Sequence, residues 1–262
     1  MIPEELKKLD LQQMIDAGKI NQRIYKYRET GEFTEKIFTD HTLWFDKPKN
    51  FNDPFDCWAN VKMPESKDLE QLANAKLSPF KAKIFRLGIP NFNQSKMKND
   101  VDKKLNKIGV CCFSLTEKNI LMWSHYCKYH QGICLEFDVL EDPVFFTHTI
   151  PVNYVEAMPL YDHFKKPSEL VEKLIQPKSL DWEYEKEVRV VKKETDISDN
   201  GDSRAFKFKP TALKKVIFGC NASKNIITKY KKLCNKNGLS HVTFTKMYKM
   251  KGGQFGLEER PV

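Results

Sequence analysis

Short segments with a hydrophobic period of two, separated by helical segments at irregular spacing, constrain the fold of this chain most. Residues 23–28, 109–116 and 133–138 alternate their side chains between two faces, as half-buried strands do. Further strands are expected near 148–155, 184–191, 205–209, 213–218 and 240–248. This succession favours an α+β fold with a mixed, mainly antiparallel sheet flanked by helices over a doubly wound parallel sheet.

The remaining segments predict helices and one polar loop. An N-terminal helix over 3–17 begins with Pro3 and ends before Gly18. A helical insertion is expected at about 66–106, with breaks at Gly88 and Pro90, and more helices at 119–130, 168–176 and 223–236. The polar residues 194–204 predict an exposed loop. Because the chain shows no repeat and no shift in composition, we expect one domain over 1–262.

Composition limits the class of protein. The chain has 262 residues, 40% of them hydrophobic, which suffices for one sizeable core. No stretch approaches about 20 apolar residues and the N-terminal segment is charged, so we expect neither a membrane span nor a signal peptide. The seven cysteines are an odd number without paired spacing, which favours a reducing compartment and a cytoplasmic location. Cys112, Cys134 and Cys220 are interpreted as small core residues.

The formal net charge of +9 comes from lysines that are spread over many segments. Such an excess raises encounter rates with nucleic acid and other polyanions, but a lysine-rich genome produces the same composition. Charge therefore keeps nucleic acid as a candidate partner without deciding the question.

Three carboxylates form the first motif. Glu183, Glu185 and Glu187 would share one face of the strand predicted at 184–191. Paired with Lys or Arg, they would form an ordinary solvated strand face. In a functional site, one carboxylate would stabilise a developing cation or contact a substrate hydroxyl while its neighbour orients or deprotonates the attacking group.

Arg28 ends the first predicted strand beside the aromatic residues Tyr25 and Tyr27. A guanidinium group suits bidentate recognition of phosphate, and an ion pair with a carboxylate such as Glu187 is the structural alternative.

The helix predicted at 119–130 carries an aromatic stripe. Met122 and Tyr126 would share one face, and Trp123 would share another with Cys127 and His130. Such a stripe is more often core than site. The spacing of five between His125 and His130 does not present both to one metal, so we reject a zinc site.

A proline-fixed loop at 51–56 contains Asn52 and Asp53, which would either seat a polar ligand or form an Asx turn with their own backbone. The glycine-rich segment 251–256 lacks the lysine and hydroxyl residue of a P-loop. Rossmann and α/β-hydrolase signatures are also missing from the sequence.

Six motifs in order resemble the bacterial family known as domain of unknown function 2971, over about residues 22–220. They are Tyr25-Lys-Tyr-Arg28, Phe51-Asn-Asp-Pro-Phe-Asp56, Cys112-Phe-Ser114, Met122-Trp-Ser-His-Tyr126, Gly132-Ile-Cys-Leu-Glu-Phe-Asp138 and Trp182-Glu-Tyr-Glu-Lys-Glu-Val-Arg189. The family label carries no activity.

A second resemblance does carry an activity. Arg28, Ser114 with Thr116, and Glu185-Lys-Glu187 are similar to the Arg, Ser-Thr-Ser and Glu-x-Glu pattern of arginine-type ADP-ribosyltransferases, and this likeness implies a fold of that type. Thr116 stands where that family usually has Ser. The pattern also leaves open whether Glu183 or Glu185 partners Glu187.

The second resemblance implies a role for each matched residue. Arg28 would hold NAD phosphate or ribose, and Ser114 would position Glu187. Glu187 would bind a ribose hydroxyl and stabilise the oxocarbenium-like transition state as nicotinamide leaves. Glu185 would orient or activate the acceptor, and Trp123 or Tyr27 would stack on nicotinamide or an acceptor base.

The first hypothesis is therefore an NAD-consuming transferase or glycohydrolase, a toxin or phage-defence effector acting on nucleic acid or a host protein. NAD is the candidate substrate, and no bound cofactor or metal is expected. Its catalytic residues would be Glu187, Glu185 and Arg28. The expected substrate-binding residues are Tyr25, Tyr27, Asn52, Asp53, Ser114, Trp123, His125 and Tyr126.

Two alternatives stay open. A non-catalytic module would bind nucleic acid or a nucleotide through Arg28, Trp123 and Asn52, and it predicts that carboxylates near Glu187 pair with Arg189 or Arg28. A metal-dependent nuclease ranks last, because its candidate carboxylates fall in two separate motifs. Those carboxylates are Asp53, Asp56, Glu136 and Asp138.

Overall fold

The computed structural model divides the chain into two compact units. The first comprises Met1–Asp46, Gly109–Val152 and Asp181–Val262, and the second comprises Lys47–Ile108 and Asn153–Leu180. The structure describes residues 2–58, 60–63, 65, 67, 68, 70, 71, 74, 78, 79, 81–83, 94–163 and 166–262. The expectation of one domain over 1–262 stays a prediction.

A mixed sheet organises the first unit. The described strands are β1 Arg23–Arg28, β2 Thr42–Trp44, β3 Gly109–Ser114, β4 Ile133–Asp138, β5 Thr149–Pro151, β6 Asn153–Val155, β7 Pro177–Ser179, β8 Glu187–Lys192, β9 Ala205–Lys207, β10 Leu213–Phe218, β11 Thr243–Lys249 and β12 Leu257–Pro261. Among them, eight form one sheet in the order β12-β11-β10-β4-β1-β3-β8-β5. Only β10 and β11 are parallel neighbours in that described sheet. The predicted mixed, mainly antiparallel sheet is confirmed.

Helices occur close to the predicted places. The first unit contains helices Glu4–Asp16, Glu32–Thr39, Ile120–Tyr126, Glu194–Asp199 and Lys224–Lys236, and the second contains Gln94–Leu105. Short 3-10 helices are Pro48–Asn50, Pro167–Glu169, Leu180–Glu185 and Pro210–Ala212, and Val171–Ile175 is a π-helix. Of the predicted insertion at 66–106, residues 84–93 with both expected breaks lie outside the described residues.

The helix predicted at 119–130 is shorter in the structure. The Asn119 side chain caps its start, because Oδ1 accepts from the amides of Leu121 at 2.9 Å and Met122 at 3.1 Å. After Tyr126 the chain leaves helical geometry, and Lys128 to His130 all have positive φ. The predicted helix therefore ends four residues early.

The predicted strand at 184–191 is wrong over its first part. Leu180–Glu185 forms a 3-10 helix, Lys186 has a φ of 45°, and the strand begins only at Glu187. Glu183, Glu185 and Glu187 therefore do not share one strand face. The side chains of Ser114 and Asn119 bind backbone carbonyls of this segment. A pattern of alternating residues in the sequence does not reveal such contacts.

The predicted loop at 194–204 is also wrong in part. Residues Glu194–Asp199 form a helix that buries Ile197, and the Asp196 carboxylate accepts from the Lys193 amide at 2.7 Å. One buried apolar residue and a local cap stabilise a turn of helix in a polar segment. The strand Leu257–Pro261, for which the sequence predicts no element, pairs with β11 and buries Leu257.

The large sheet has two different faces. The core face carries apolar side chains that pack under the helices Glu4–Asp16, Glu32–Thr39 and Lys224–Lys236. Its strand residues are Ile24, Phe113, Leu135, Phe137, Val188, Val190 and Val216. The polar face carries Tyr25, Tyr27, Ser114, Cys134, Glu136, Glu187, Arg189 and Lys215. On the polar face, the ring of Trp123 packs edge-on against Tyr27 with centroids 5.3 Å apart.

Candidate functional site

One row of cross-strand neighbours brings several of the predicted site residues together. Glu187 lies opposite Ser114, Ser114 opposite Tyr25, Tyr25 opposite Glu136, and Glu136 opposite Lys215. Residues directly opposite one another in antiparallel strands project from the same face of a sheet. The polar face therefore gathers a tyrosine, a serine and a carboxylate that the sequence singles out.

Glu187 is bound by a guanidinium group from its own strand. Arg189 Nε donates to Glu187 Oε1 at 2.8 Å and Arg189 Nη2 donates to Oε2 at 3.1 Å. The two residues are two apart in β8, so they share a face, and they are 5% and 0% exposed. Of the two ion-pair partners that the sequence leaves open for Glu187, the structure shows Arg189.

Glu185 is held from two sides. Tyr126 Oη donates to Glu185 Oε1 at 2.6 Å, and Ser114 Oγ donates to the Glu185 carbonyl oxygen at 2.6 Å. Asn119 Nδ2 donates to the carbonyl of Tyr184 at 2.9 Å. These contacts fix the end of the 3-10 helix against β3. Ser114 therefore lies opposite Glu187 and also holds the backbone of Glu185.

Cys112 lies opposite Arg189 in the neighbouring strand and close to Glu187. Burial raises the pKa of its thiol, and the negative charge of Glu187 raises it further. The thiol is therefore protonated at neutral pH and is a poor nucleophile there.

Tyr25 lies among charged side chains. Lys215 Nζ contacts Glu136 Oε2 at 3.1 Å and Glu259 Oε1 at 3.0 Å. Burial raises the pKa of the Tyr25 hydroxyl, and Glu117 and Glu136 add to that effect. Tyr25 is consequently a neutral hydroxyl at physiological pH that can donate or accept a hydrogen bond.

Arg28 is not part of this row. The alternation of β1 places it with Ile24 and Lys26 on the side of the core face, opposite to Tyr25. Its Nε is buried and has no hydrogen-bond partner within the described part of the chain. Burial raises the pKa of Tyr230, a core-face residue, to about 12, and the positive charge of Arg28 partly offsets that rise. The structure therefore separates Arg28 from Ser114 and Glu187.

The two rings expected to stack on a ligand are core residues. Trp123 is 0% exposed and its Nε1 donates to the Glu117 carbonyl at 2.7 Å. Tyr27 is also buried, and its hydroxyl donates to the Thr116 carbonyl at 2.9 Å. Neither ring offers a face to a ligand, because both fill the space between the helix Ile120–Tyr126 and the sheet. His125 is exposed, with its ring centroid 6.4 Å from that of Tyr184.

Asn52 and Asp53 belong to the second unit. Asp53 Oδ1 accepts from the Phe55 amide at 2.9 Å, which is the Asx turn that the sequence offers as the structural alternative. Asn52 is exposed. Within the same unit, Asp56 lies 3.7 Å from Lys178 Nζ, and both side chains are buried.

Three of the four carboxylates of the nuclease hypothesis have basic partners. Glu136 pairs with Lys215, Asp56 pairs with Lys178, and Arg23 Nη1 lies 3.2 Å from Asp138 Oδ2. Within the described ranges, no group of three or more His, Cys, Asp or Glu residues could hold a metal ion. The same ranges contain no helix long and apolar enough to cross a bilayer.

Sequence reasoning missed three residues that shape the site. The sequence indicates Arg189 only as a possible ion-pair partner and Asn119 only as the start of a helix, and it does not single out Lys215. A basic residue two positions after Glu187 in a strand was a usable signal for Arg189. Lys215 lies 28 positions after Glu187 in the chain, in strand β10. Only the order of the strands in the sheet shows that it joins the row of cross-strand neighbours.

A family model described as a protein of unknown function (DUF2971) matches residues 122–190. The match runs from the helix Ile120–Tyr126 to the strand that carries Glu187 and Arg189, and it supports the first resemblance over that part of the chain. The comparisons found no match among curated proteins and none among solved structures.

Proposed function

We propose that this protein is an NAD-consuming transferase or glycohydrolase whose site lies at Ser114 and Glu187 on the polar face and at Glu185 in the adjoining 3-10 helix. The observation that carries the proposal is that one serine pairs with Glu187 across two strands and binds the backbone of Glu185. Ser114 lies opposite Glu187 and its hydroxyl holds the Glu185 carbonyl at 2.6 Å. Two buried carboxylate residues are thereby fixed beside each other.

Cleavage of an N-glycosidic bond develops positive charge on the ribose, and a fixed carboxylate stabilises that charge. A carboxylate has about four acceptor positions, and the bidentate contact with Arg189 uses two of those on Glu187. In this proposal a ribose hydroxyl donates to the same carboxylate. Glu185, with Tyr126 as hydrogen-bond donor, would orient or activate the acceptor.

The proposal departs from the arginine-type pattern at one position. Arg28 lies on the other side of the sheet, so the proposal assigns the contribution of β1 to the neutral hydroxyl of Tyr25. The acceptor is nucleic acid or a host protein, and the biological role is that of a bacterial toxin or phage-defence effector.

The second candidate is a non-catalytic module that binds a nucleotide or nucleic acid. The bidentate ion pair between Glu187 and Arg189 favours it, because this pairing is what that hypothesis predicts. In such a module the buried pair would stabilise the fold.

The deciding experiment measures nicotinamide release from NAD by the purified protein, alone and with cell RNA, DNA or lysate. Glu185→Gln and Glu187→Gln are the test variants, and Glu183→Gln is the matched control, because Glu183 is exposed in the same 3-10 helix. We expect release that falls at least about 100-fold in both test variants, the usual scale for such electrostatic groups, and stays unchanged in the control. Release retained within a few-fold in both test variants would reject these roles, and no release by the folded wild type would favour the binding module.

A further inference from the structure

Three chain segments meet where several strands of the large sheet begin or end. Arg28 at the end of β1 lies opposite Ile133 at the start of β4, and Ile133 lies opposite Phe218 at the end of β10. Phe218 in turn lies beside Lys246 in the middle of β11. The segments 127–132, 219–224 and 246–256 are therefore neighbours, and together they are called the lysine edge.

The three segments of the lysine edge carry a surplus of basic side chains. Its three segments contain five lysines and no Asp or Glu in their sequence, namely Lys128, Lys224, Lys246, Lys249 and Lys251. All except Lys246 are exposed. Lys246 is half-buried and its Nζ donates to the Ala222 carbonyl at 2.9 Å, which ties β11 to the second segment. The edge is therefore complementary in charge to a polyanion.

The first turn of the edge is strained and rigid. Lys128, Tyr129 and His130 have φ angles of 47°, 57° and 66°, a left-handed run that side chains other than glycine rarely adopt. Such strain persists only where the surrounding structure determines it, and it clusters at functional positions.

Contacts with the second segment determine this conformation. The Asn221 amide donates to the His130 carbonyl at 3.0 Å, and Asn221 Nδ2 donates to the Tyr129 carbonyl at 3.1 Å. A Cβ added at Gly219 would lie 2.1 Å from the His130 oxygen, so the two turns approach as closely as backbone allows. The His130 ring stacks on Trp123 with an interplanar angle of 14°.

The strained turn presents one aromatic ring to solvent. Tyr129 is 74% exposed, whereas His130 beside it faces Trp123. A turn that is fixed by these contacts and holds Tyr129 outward beside Lys128 loses little conformational freedom when a ligand binds.

We propose that the lysine edge binds single-stranded nucleic acid, with Tyr129 stacking on a base and the exposed lysines contacting phosphates. Stacking on aromatic rings combined with a basic track is how proteins bind single strands without reading their sequence. A duplex offers no free base to Tyr129. The inference is independent of the carboxylate site, so it holds whether or not the protein consumes NAD.

The test is a titration of a fluorescein-labelled 12-nucleotide oligouridine with the full-length protein, followed by anisotropy at several NaCl concentrations. We expect Tyr129→Ala to weaken binding about ten-fold and Tyr129→Phe to bind like the wild type, because Phe keeps the ring. Lys128→Ala and Lys249→Ala should each lower the slope of log K against log salt by about one. Phe33→Ala is the matched control, since Phe33 is an exposed ring outside the edge.

Three results would overturn the proposal. One is no binding at low salt by a protein that is folded by circular dichroism. Another is equal binding by the wild type and Tyr129→Ala, which would reduce the interaction to attraction of any polyanion. The third is tighter binding to anionic lipid vesicles that oligouridine does not displace. If Tyr129→Ala fails to fold, Tyr129→Asn replaces it, because Asn tolerates the left-handed conformation and has no ring.

Discussion

The two faces of the eight-stranded sheet are built on different principles. On the core face, Phe113 and Phe137 pack edge to face with centroids 5.8 Å apart under a layer of helices. On the polar face, ion pairs and hydroxyl contacts hold Glu187 and Glu185. Apolar packing depends on volume and tolerates variation in detail, whereas a buried carboxylate needs a partner at one distance and angle. The polar face is therefore the one that fixes chemical groups in place.

The largest effect should come from a cavity on the core face. Phe137 is fully buried among Phe113, Phe146 and Phe208. We expect Phe137→Ala to lower the free energy of unfolding by about 4 kcal/mol, because a large ring leaves a void that the sheet fills only in part. Urea unfolding followed by circular dichroism measures it. A loss below about 1 kcal/mol would show that the core face is loosely packed. The contrast between a closely packed core face and the polar face would then be wrong.

A somewhat smaller loss should follow when the ion pair of the polar face is broken. Arg189→Met leaves the Glu187 carboxylate buried without its guanidinium, and we expect a loss of about 3 kcal/mol. The double variant Glu187→Gln with Arg189→Met removes the uncompensated charge and should recover part of that loss in the same urea assay. If the double variant is as unstable as the sum of the two single variants, the pair is not coupled in the way the structure implies.

The fold was largely readable from the sequence because its strongest signals are local. The strands at 23–28 and 133–138 match β1 and β4, since alternation reports directly on a two-faced sheet. Around Glu185 the prediction was wrong, because the hydroxyl of Ser114 and the amide of Asn119 capture backbone carbonyls there. Both partners are more than sixty residues away in the chain, and no local pattern reports on them.

The candidate site was only partly readable for a related reason. Alternation within β1 sufficed to separate Arg28 from Tyr25, although the resemblance grouped them in one site. The meeting of Tyr25 with Ser114 and Glu187 depends on strand order and register, which the sequence leaves undetermined. The spacing of the aromatic stripe favours the core for Trp123 while the resemblance implies a site role, and its complete burial decides for the core.

A buried lysine on the core face makes the stability of that face depend on pH. Lys192 is buried there against the rings of Phe45, Phe145 and Phe206, and burial lowers its pKa from 10.5 to about 8. Between pH 8 and 10.5 the unfolded chain binds more protons at this residue than the folded protein, so stability due to Lys192 rises with pH. Relative to Lys192→Met, the wild type should gain about 2 to 3 kcal/mol from pH 7 to pH 10.

The measurement for Lys192 is urea unfolding of both proteins at pH 7, 8, 9 and 10. Comparing the two variants at each pH cancels the titration of the buried tyrosines and cysteines, whose raised pKa values act in the opposite direction. A difference that does not change with pH would mean that Lys192 is charged in the folded protein throughout this range.

The smallest expected effect on stability is at Ser114, where it bears most on function. Ser114→Ala removes the hydroxyl that donates to the Glu185 carbonyl at 2.6 Å and accepts from the Thr116 amide at 3.1 Å. Both backbone groups lose a buried partner, and we expect a loss of about 1 to 2 kcal/mol in the urea assay. Ser114→Cys, which keeps the shape and a weak donor, should lose less.

Ser114 acts on the carboxylates through the backbone, so it is a positioning residue. If the polar face releases nicotinamide from NAD, Ser114→Ala should lower kcat while leaving KM nearly unchanged, because the ribose still binds and the carboxylates are misplaced in the transition state. Ser114→Cys should restore part of kcat. A variant that loses stability but keeps kcat would show that the serine only holds β3 against the 3-10 helix. The polar face would then resemble the core face in being purely structural at this position.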